Sequence, residues 1–444
     1  MRYRFERKKT ITVVVIAAVM LILGGAYLWY AHNYGNAENI TLTSRKIIEY
    51  EWQERAADHG ITVDYLWSRT KELMVTGGED GVLIPSSYMI AGRLSYEDAE
   101  ESGEYLLSDQ GRLLMAYVRS GDRFKATALK TEVLNRFDME TESVSEKMFW
   151  LEAYLNYYVS YGNAEDYTNI TGLIASLFDE QGTVVPDTLY VASYDEGSTL
   201  YLEDQDEAYH DSILDDPLSE NVTSELTEIQ GVALSSVRLQ LIKDLEDNGL
   251  LPAGSYQRNL DIVLGAQVSA DIPLFAYAYT ICDPVPVVTD EGGSTEETSV
   301  TEAAETVAGS GPVINYIYSH DVPAAIDVGE SIAVMRNLAA VDSLPDGCYS
   351  WIKNKIVNGN TINSQYYLVS GNTDGAEATD ALADILAIAF YKDDLDLFDR
   401  ICTLLGSRVA TYTDSPALSM IYRQKDDRFC FSARENLEVC LALM

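Results

Sequence analysis

The sequence has few basic side chains. Lysine and arginine together number 31, against 70 aspartate and glutamate residues, and the formal net charge is −39. A surface with this charge repels a phosphate backbone, so the composition excludes a nucleic-acid-binding protein. Apolar residues make up 47% of the 444 residues, which is enough to form a core. The chain is therefore an acidic globular protein, and composition alone does not name its function.

Cysteine, histidine and the common catalytic motifs are also scarce. Five irregularly spaced cysteines do not resemble a disulfide framework, and we expect most of them to be buried apolar residues. Four scattered histidines predict no metal site, and no cofactor is expected. The sequence contains no P-loop, no HExxH, no Cys-x-x-Cys and no Gly-x-Ser-x-Gly elbow. Acid–base chemistry would fall to Asp and Glu, the residues that hydrolyse glycosidic bonds.

The amino terminus predicts a membrane anchor. A basic tail, residues 1–9, precedes residues 10–30, which carry no charge and would span about 31 Å as a helix. The positive-inside rule places the tail in the cytoplasm and everything from the linker 31–43 onward outside the cell. We therefore expect a single-pass protein of the cell membrane. The alternative is a cleaved signal peptide, because small residues at 24–26 offer a cleavage site.

Helical periodicity dominates the rest of the chain. Apolar residues recur at three- and four-residue steps in the segments 44–58, 62–75, 105–119, 122–136, 145–160, 164–178, 222–246, 255–268, 326–341, 376–391 and 394–405. Tight polar connections join several of these helices in pairs, and longer loops separate the pairs. We therefore predict an all-α domain over 44–444, an (α/α)6 barrel of six helical hairpins, with an open α-solenoid as the alternative. Residues 289–311 lack aromatic residues and predict a disordered insertion.

Three segments resemble motifs of glycoside hydrolase family 8. The run Gly78–Pro85, then Leu107–Tyr117 and Gly121–Phe124, is similar to the family's DGRV-like loop, its Ser-Glu-x-Gln helix start and its Asp-x-x-x-Phe turn. This resemblance implies an (α/α)6 barrel whose cleft hydrolyses β-1,4-linked polysaccharides with inversion. The tethered layout is similar to family 8-like proteins found beside exopolysaccharide synthases in Gram-positive bacteria. It implies an exopolysaccharide substrate and a synthase complex as a possible partner.

The resemblance places the general acid at Asp109. The segment 108–110 reads Ser-Asp-Gln where the family has Glu, and the alternative for Asp109 is a helix N-cap. For the base we predict Asp271, because it lies in an extended, aromatic-rich loop after a helix. The alternative for Asp271 is a turn residue ahead of Pro273.

Four further residues are candidate sugar ligands. Asp80 precedes Gly81 and has a turn residue as its alternative, whereas Glu104 is also a substitute acid. Trp150 and Tyr367 are candidate stacking platforms, because a sugar ring packs on an aromatic face. Trp150 lies on an apolar helical stripe, so its alternative is the core.

Three functions remain open. The first is a membrane-anchored extracellular glycoside hydrolase acting on a β-linked exopolysaccharide with two carboxylates. The second is a catalytically degenerate polysaccharide-binding accessory protein of a synthase, favoured because Ser145-Glu146-Lys147 stands where the family has aspartates. The third is a helical-repeat surface scaffold.

Overall fold

The computed structural model of the chain describes residues 20, 24–25, 38–43, 46, 48–76, 81–91, 99–192, 226–282, 313–322, 324–359, 361–368, 371–425 and 428–444. Within these ranges the chain forms thirteen α-helices. In chain order they are α1 (Tyr50–Asp58), α2 (Val63–Met74), α3 (Leu107–Arg119), α4 (Arg123–Arg136), α5 (Val144–Tyr161), α6 (Ala164–Leu177), α7 (Leu239–Asp247), α8 (Ser255–Gly265), α9 (Val328–Ala340), α10 (Asp346–Lys353), α11 (Ala381–Tyr391), α12 (Leu395–Gly406) and α13 (Ala433–Leu443). The predicted helix-rich chain is confirmed.

The tight connections predicted from the sequence begin new helices. Asp122 caps α4 by accepting a hydrogen bond from the Lys125 backbone nitrogen at 3.1 Å. Asn163 forms a capping box with Asp166 at the start of α6. Asp394 likewise accepts from a backbone nitrogen in the first turn of α12. Each cap satisfies backbone donors that have no partner inside the helix, which explains why these helices begin where they do.

Six helices, which we call the inner helices, pack in sequence order. Helix α3 contacts α5, and α5 contacts the 3-10 turn Leu234–Ser236 that precedes α7. That turn and α7 contact α9, α9 contacts α11, α11 contacts α13, and α13 returns to α3. Helices α4, α6, α8, α12 and α2 pack against α3, α5, α7, α11 and α13 respectively. Five of the six inner helices thus each contact one helix from outside the set of six.

The chain is helix-rich rather than purely helical, because the loops contain strands. The strands are β1 (Ser87–Ala91), β2 (Ala99–Glu101), β3 (Asp187–Ala192), β4 (Leu226–Ala233), β5 (Ala278–Cys282), β6 (Val313–Ile317), β7 (Ala325–Asp327), β8 (Gln365–Tyr367), β9 (Arg423–Lys425) and β10 (Arg428–Ser432). They form antiparallel sheets in the orders β2-β1-β10-β9, β3-β4-β5-β6 and β7-β8. These short segments, many rich in aromatic and β-branched residues, lack a helical period. The segment 222–246, predicted as one helix, therefore divides into β4, the 3-10 turn and α7.

A glycine lets two inner helices approach closely. A Cβ at Gly111 of α3 would lie 3.1 Å from the backbone oxygen of Phe149 in α5. Such a contact is tighter than a side chain normally tolerates, so glycine allows the backbones to meet. This close packing brings the first turns of α3 and α5 together, and those turns carry the carboxylates Asp109 and Glu146.

The predicted membrane and insertion segments fall mostly outside this description. Within the described ranges, no helix is sufficiently long and apolar to cross a membrane. Of the predicted anchor 10–30, only residues 20, 24 and 25 belong to those ranges, and the insertion 289–311 lies outside them.

Candidate functional site

The amino-terminal ends of four inner helices, α3, α5, α11 and α13, lie close together. Glu146 in α5 accepts hydrogen bonds from the Ser108 backbone nitrogen at 2.5 Å and from the Ser108 hydroxyl at 2.9 Å, at the start of α3. Arg434 in the first turn of α13 interacts electrostatically with Asp109 of α3 and with Asp380, which precedes α11. These contacts gather ionisable groups from four helices, so this end is the candidate site.

Asp109, the acid predicted from the sequence, lies in the first turn of α3 and is only 2% exposed. Its Oδ1 accepts a hydrogen bond from Arg112 at 3.3 Å. Burial raises the pKa of Asp109 to about 6, with Glu146 and Glu438 adding to the effect and Arg112 and Arg434 opposing it. The pKa suits a general acid, but the carboxyl faces protein atoms rather than solvent.

Beneath Asp109 lies a cluster that we call the buried ion network: Arg112, Glu438, Arg336 and Asp384. Glu438 accepts a hydrogen bond from Arg112 Nε at 2.8 Å and forms an ion pair with Arg336 at 2.7 Å. Arg336 also forms an ion pair with Asp384 at 2.8 Å. Burial alone would raise the pKa of Glu438, but Arg336 and Arg112 outweigh it and hold the pKa well below its ordinary value. Mutual pairing compensates these charges in the interior.

A second group of buried hydrogen bonds joins α5, α7 and α9. Arg238, just before α7, donates from Nε to Glu152 at 2.7 Å and from a guanidinium NH₂ group to Asn337 at 3.1 Å. The Phe149 ring lies between two guanidinium groups, 4.4 Å from that of Arg238 and 4.2 Å from that of Arg112. Such cation–π contacts stabilise desolvated arginines. The buried arginines between the inner helices are thus held in place by their carboxylate, amide and aromatic partners.

Three half-buried carboxylates, Asp327, Glu330 and Asp380, form what we call the acidic rim. Asp327 caps α9, and its Oδ1 accepts from the Glu330 backbone nitrogen at 3.0 Å. A Cβ placed on Gly329 would lie 3.0 Å from an Asp380 carboxylate oxygen and 3.2 Å from Oδ1 of Asp327. Two carboxylates from different helices therefore approach the same point beside a residue without a side chain.

This crowding changes the acidity of Asp327. The pKa of Asp327 is raised to about 6: burial is the largest cause and Glu330 and Asp380 add to it, while the Glu330 backbone hydrogen bond and His320 lower it. Among the described residues, no lysine or arginine forms an ion pair with Asp327. A partly exposed carboxyl that holds its proton near pH 6 can donate that proton to a ligand.

An aromatic surface lies beside the acidic rim. The rings of Tyr277 and His320 stack with centroids 4.1 Å apart and planes 19° apart, and both residues are half-buried. Burial raises the pKa of Tyr277, and the neighbouring Glu330, Asp321 and Asp327 raise it further. Stacked rings next to carboxylates provide the two surfaces that a sugar needs, an apolar face and hydrogen-bond acceptors.

The other predicted polar residues lie elsewhere or outside the description. Asp80 lies outside the described residues. Glu104 is exposed before α3, and its Oε2 accepts from the Ser86 hydroxyl at 3.3 Å. Asp271 is exposed in a turn in which the Ile272 backbone nitrogen donates to Ser269. No described contact joins Asp271 to Asp109, and the roles of all three stay predictions.

The two aromatic predictions differ in their surroundings. Trp150 is 0% exposed and packs on Tyr154 in α5, so in this conformation its ring offers no face to a sugar. Tyr367 is half-buried on β8, where it pairs with Ala325 of β7, two residues before Asp327. Tyr367 thus lies in the strand pair that leads to the acidic rim.

Sequence reasoning missed Asp327 and Asp380. Asp327 stands three residues before Glu330 at the start of an apolar period, which is a helix-start pattern and predicts a cap rather than an acid. Asp380 is 53 positions later in the chain, and no local pattern reveals that the two meet at Gly329. Only the packing of α9 on α11 brings them together.

No family model matches the chain, and no curated protein sequence matches it. Among solved structures, the chain is similar to an α-amylase from Clostridium perfringens, with 14% identity and a TM-score of 0.55 over 87% of this chain and 97% of that one. It is also similar to PssZ from Listeria monocytogenes (11% identity, TM-score 0.48, 91% and 98% covered) and to a β-1,3-1,4-glucanase from Paenibacillus (11%, 0.45, 91% and 96%). The α-amylase comparison confirms the expected likeness to helical glycoside hydrolases at the level of the fold.

Proposed function

We propose that the chain is a glycoside hydrolase that cleaves a β-linked exopolysaccharide at the acidic rim. The observation that carries the proposal is Asp327, a half-buried carboxyl whose pKa of about 6 is set by burial and by two neighbouring carboxylates. Glycoside hydrolysis requires an acid that is still protonated near neutral pH beside an ionised carboxylate.

In this proposal Asp327 protonates the glycosidic oxygen while the bond to the anomeric carbon breaks. A second carboxylate takes a proton from water, whose oxygen bonds to the anomeric carbon. Inversion requires that carboxylate to lie roughly 6.5–9.5 Å from the acid. Asp380 approaches Asp327 too closely for that role, and it instead favours the protonated form of Asp327. Glu330 and the sequence-predicted Asp271 are the candidates for the base.

The substrate and location rest on other observations. Tyr277 with His320, and Tyr367 on β8, offer aromatic surfaces beside the rim for a sugar chain. The uncharged segment 10–30 after a basic tail supports a membrane anchor with the domain outside the cell, where an exopolysaccharide is met. The order of contacts among the inner helices, from α3 round to α13 and back, supports a closed (α/α)6 barrel rather than a scaffold solenoid.

One observation favours the second function, a binding protein without catalysis. Asp109 occupies the position of the acid implied by the family 8 resemblance, yet it is 2% exposed and hydrogen-bonded to Arg112. If hydrolysis depended on an acid at that position, the buried Asp109 carboxyl would not be accessible to a substrate. A cleft that has lost its acid can still hold a polysaccharide in a synthase complex.

The test is reducing-end release by the detergent-solubilised chain from β-1,4- and β-1,3-glucans, chitosan, xylan and deacetylated poly-N-acetylglucosamine. We expect Asp327→Asn to lower turnover at least about a hundredfold, because general acid catalysis contributes roughly 10²–10⁴. Asp109→Asn should retain most of the activity, and Glu100→Gln, an exposed change on β2, should retain all of it. Glu330→Gln and Asp271→Asn identify the base.

Other outcomes decide between the functions. Loss of activity in Asp109→Asn but not in Asp327→Asn would return the acid to the position implied by the family resemblance. If no glycan is cleaved but a polysaccharide-containing gel retards the protein, the chain binds its polymer without cutting it. If neither occurs, the scaffold function stands.

A further inference from the structure

A segment ahead of α1 crosses the carboxyl ends of three inner helices. We call its described residues, 38–43, 46 and 48, the strap. The backbone oxygen of Glu38 accepts a hydrogen bond at 2.6 Å from the hydroxyl of Tyr158, near the end of α5. Lys46 donates at 2.7 Å to the backbone oxygen of Phe390, near the end of α11. The strap therefore lies at the end of these helices opposite the acidic rim, whose Asp380 precedes α11.

The middle of the strap is fixed to α7. Asn248 directly follows α7, and its side chain accepts from the Thr41 backbone nitrogen at 2.9 Å and donates to the Thr41 backbone oxygen at 2.8 Å. Within α7, Oδ1 of Asp244 accepts from the Thr43 backbone nitrogen at 2.9 Å. Ile40, one residue before Thr41, is buried. Paired backbone groups and a buried apolar side chain oppose local opening, so the point at which the chain enters the domain is fixed.

The position of Glu38 constrains how the domain can sit on a membrane. Glu38 is eight positions after residue 30, where the predicted anchor ends. A chain extends by at most about 3.6 Å per residue, so eight steps reach no further than about 29 Å. Helix α5, with 18 residues, is about 27 Å long. If the rim faced the membrane, the tether would need nearly all of its reach to pass α5. With the strap end toward the membrane, it needs none of that length.

An exposed aromatic side chain lies at the strap end. Arg119, the last residue of α3, donates to the backbone oxygen of Leu441 near the end of α13, and α4 begins four residues later. Phe124, the second residue of α4, is 91% exposed, the largest fraction among the described large apolar side chains. An apolar ring is stabilised where lipid headgroups meet acyl chains. The exposed Asp393 also lies at this end, so the contact depends on the tether and the ring rather than on charge.

We propose that the strap end of the domain faces the membrane surface and that the acidic rim opens away from it. This inference rests on the membrane anchor of the proposed function, and it adds the direction in which the site opens. The rim then lies about one length of α5, roughly 27 Å, further from the lipid than the strap does. A polysaccharide reaches Asp327 only after it has emerged by that distance, so cleavage acts on exported polymer.

The test is energy transfer from a fluorophore on the domain to acceptor-labelled lipid headgroups. The full chain is inserted into vesicles of phosphatidylethanolamine and phosphatidylglycerol. Lys125→Cys carries the fluorophore at the strap end, and Glu140→Cys, four residues before α5, carries it at the rim end; both side chains are exposed. Each variant also contains Cys282→Ser and Cys430→Ser, which leaves only buried cysteines.

We expect transfer to be at least about twofold more efficient from the strap-end label, because the two labels differ in height by about the length of α5. Equal transfer, or more efficient transfer from the rim-end label, would overturn the proposed orientation. In detergent without vesicles, the two labelled variants should behave alike. Circular dichroism checks folding, and Asp247→Cys, exposed at the end of α7, replaces Lys125→Cys if that variant does not fold.

Flotation of the vesicles after an alkaline wash tests the anchor separately. A chain that is lost from the vesicles would overturn both the anchor and the orientation, whereas a retained chain with equal transfer from the two labels overturns the orientation alone. Reducing-end release is measured on the same samples, so a failure of the proposed hydrolysis is distinguished from either result.

Discussion

The buried ion network and the acidic rim both contain carboxylates of the inner helices, but only the network pairs them with arginines. In the network, Glu438 lies between Arg112 and Arg336, and its pKa is held below the ordinary value. At the rim, Asp327 lies among carboxylates, and its pKa rises to about 6. At Glu438 two arginines outweigh the effect of burial on the pKa, whereas at Asp327 burial is the largest cause and the neighbouring acids act in the same direction.

This difference separates a structural role from a chemical one. A paired carboxylate such as Glu438 stabilises the fold only while both of its arginines are present, and it has no proton to give near neutral pH. Asp327 is disfavoured as an anion and therefore keeps a proton that it can transfer. A substitution should accordingly reduce stability in the network and alter proton transfer at the rim.

The largest expected effect is in the network. Glu438→Gln removes the charge that compensates Arg112 and Arg336, and the free energy of unfolding should fall by about 3–5 kcal/mol. Urea denaturation followed by circular dichroism measures the change. The control is Glu100→Gln, whose partner Arg428 and own side chain are largely exposed, and whose cost should stay below about 1 kcal/mol. Equal effects in the two variants would contradict the contrast.

The next effect concerns Asp109, which lies between the two regions. Its pKa is about 6 in the folded chain against an ordinary 3.8, so the folded state binds this proton more tightly. The resulting stability is complete below about pH 4 and is lost as the pH rises through about 6, a change of about 3 kcal/mol. Asp109→Asn should remove this pH dependence.

The measurement for Asp109→Asn is urea denaturation at pH 4, 5, 6 and 7. Wild-type stability should fall relative to that of the variant over this interval. An unchanged pH profile would mean that Asp109 is already ionised in the folded chain at pH 4.

Much of the helical framework could be predicted from the sequence. The period and the caps at Asp122, Asn163 and Asp394 are local signals, and they place α4, α6 and α12 within a residue or two of their observed bounds. Strand β4 lies in an apolar segment that resembles the start of a helix, and its partners β3 and β5 lie in loops far away in the sequence. A short strand depends on its partner more than on its own sequence.

The site could be predicted only in part, because the residues that contact one another there are far apart in the sequence. Asp109 was found through its resemblance to a motif, but its burial depends on Arg112 and Glu438, which are 326 positions apart. Asp327 and Asp380 each stand at the start of a helix in the sequence, and this pattern does not indicate that the two residues are close in space. Pairing across inner helices has no local sequence pattern, so the sequence indicated carboxylate chemistry without identifying these carboxylates.

A smaller effect is expected when one rim carboxylate is neutralised. Asp380→Asn removes a charge that raises the pKa of Asp327, so that pKa should fall below about 6 while remaining above 3.8, because burial is the larger cause. Stability at pH 7 should rise by less than about 1 kcal/mol, since a like-charge repulsion is relieved. Carbon-13 NMR titration of the Asp327 carboxyl measures the shift. An unchanged pKa would show that Asp380 does not act on Asp327.

The smallest effect on stability should come from Gly329→Ala. Alanine favours a helix over glycine by about 1 kcal/mol, but its methyl group would lie 3.0 Å and 3.2 Å from the Asp380 and Asp327 oxygens. Because both carboxylates are half-buried, they can move, and the net change in unfolding free energy should stay within about 1 kcal/mol. Moving them apart should nevertheless lower the pKa of Asp327 and alter the pH dependence of glycan hydrolysis. A large loss of stability with an unchanged Asp327 titration would instead show that the rim, like the network, is rigidly packed.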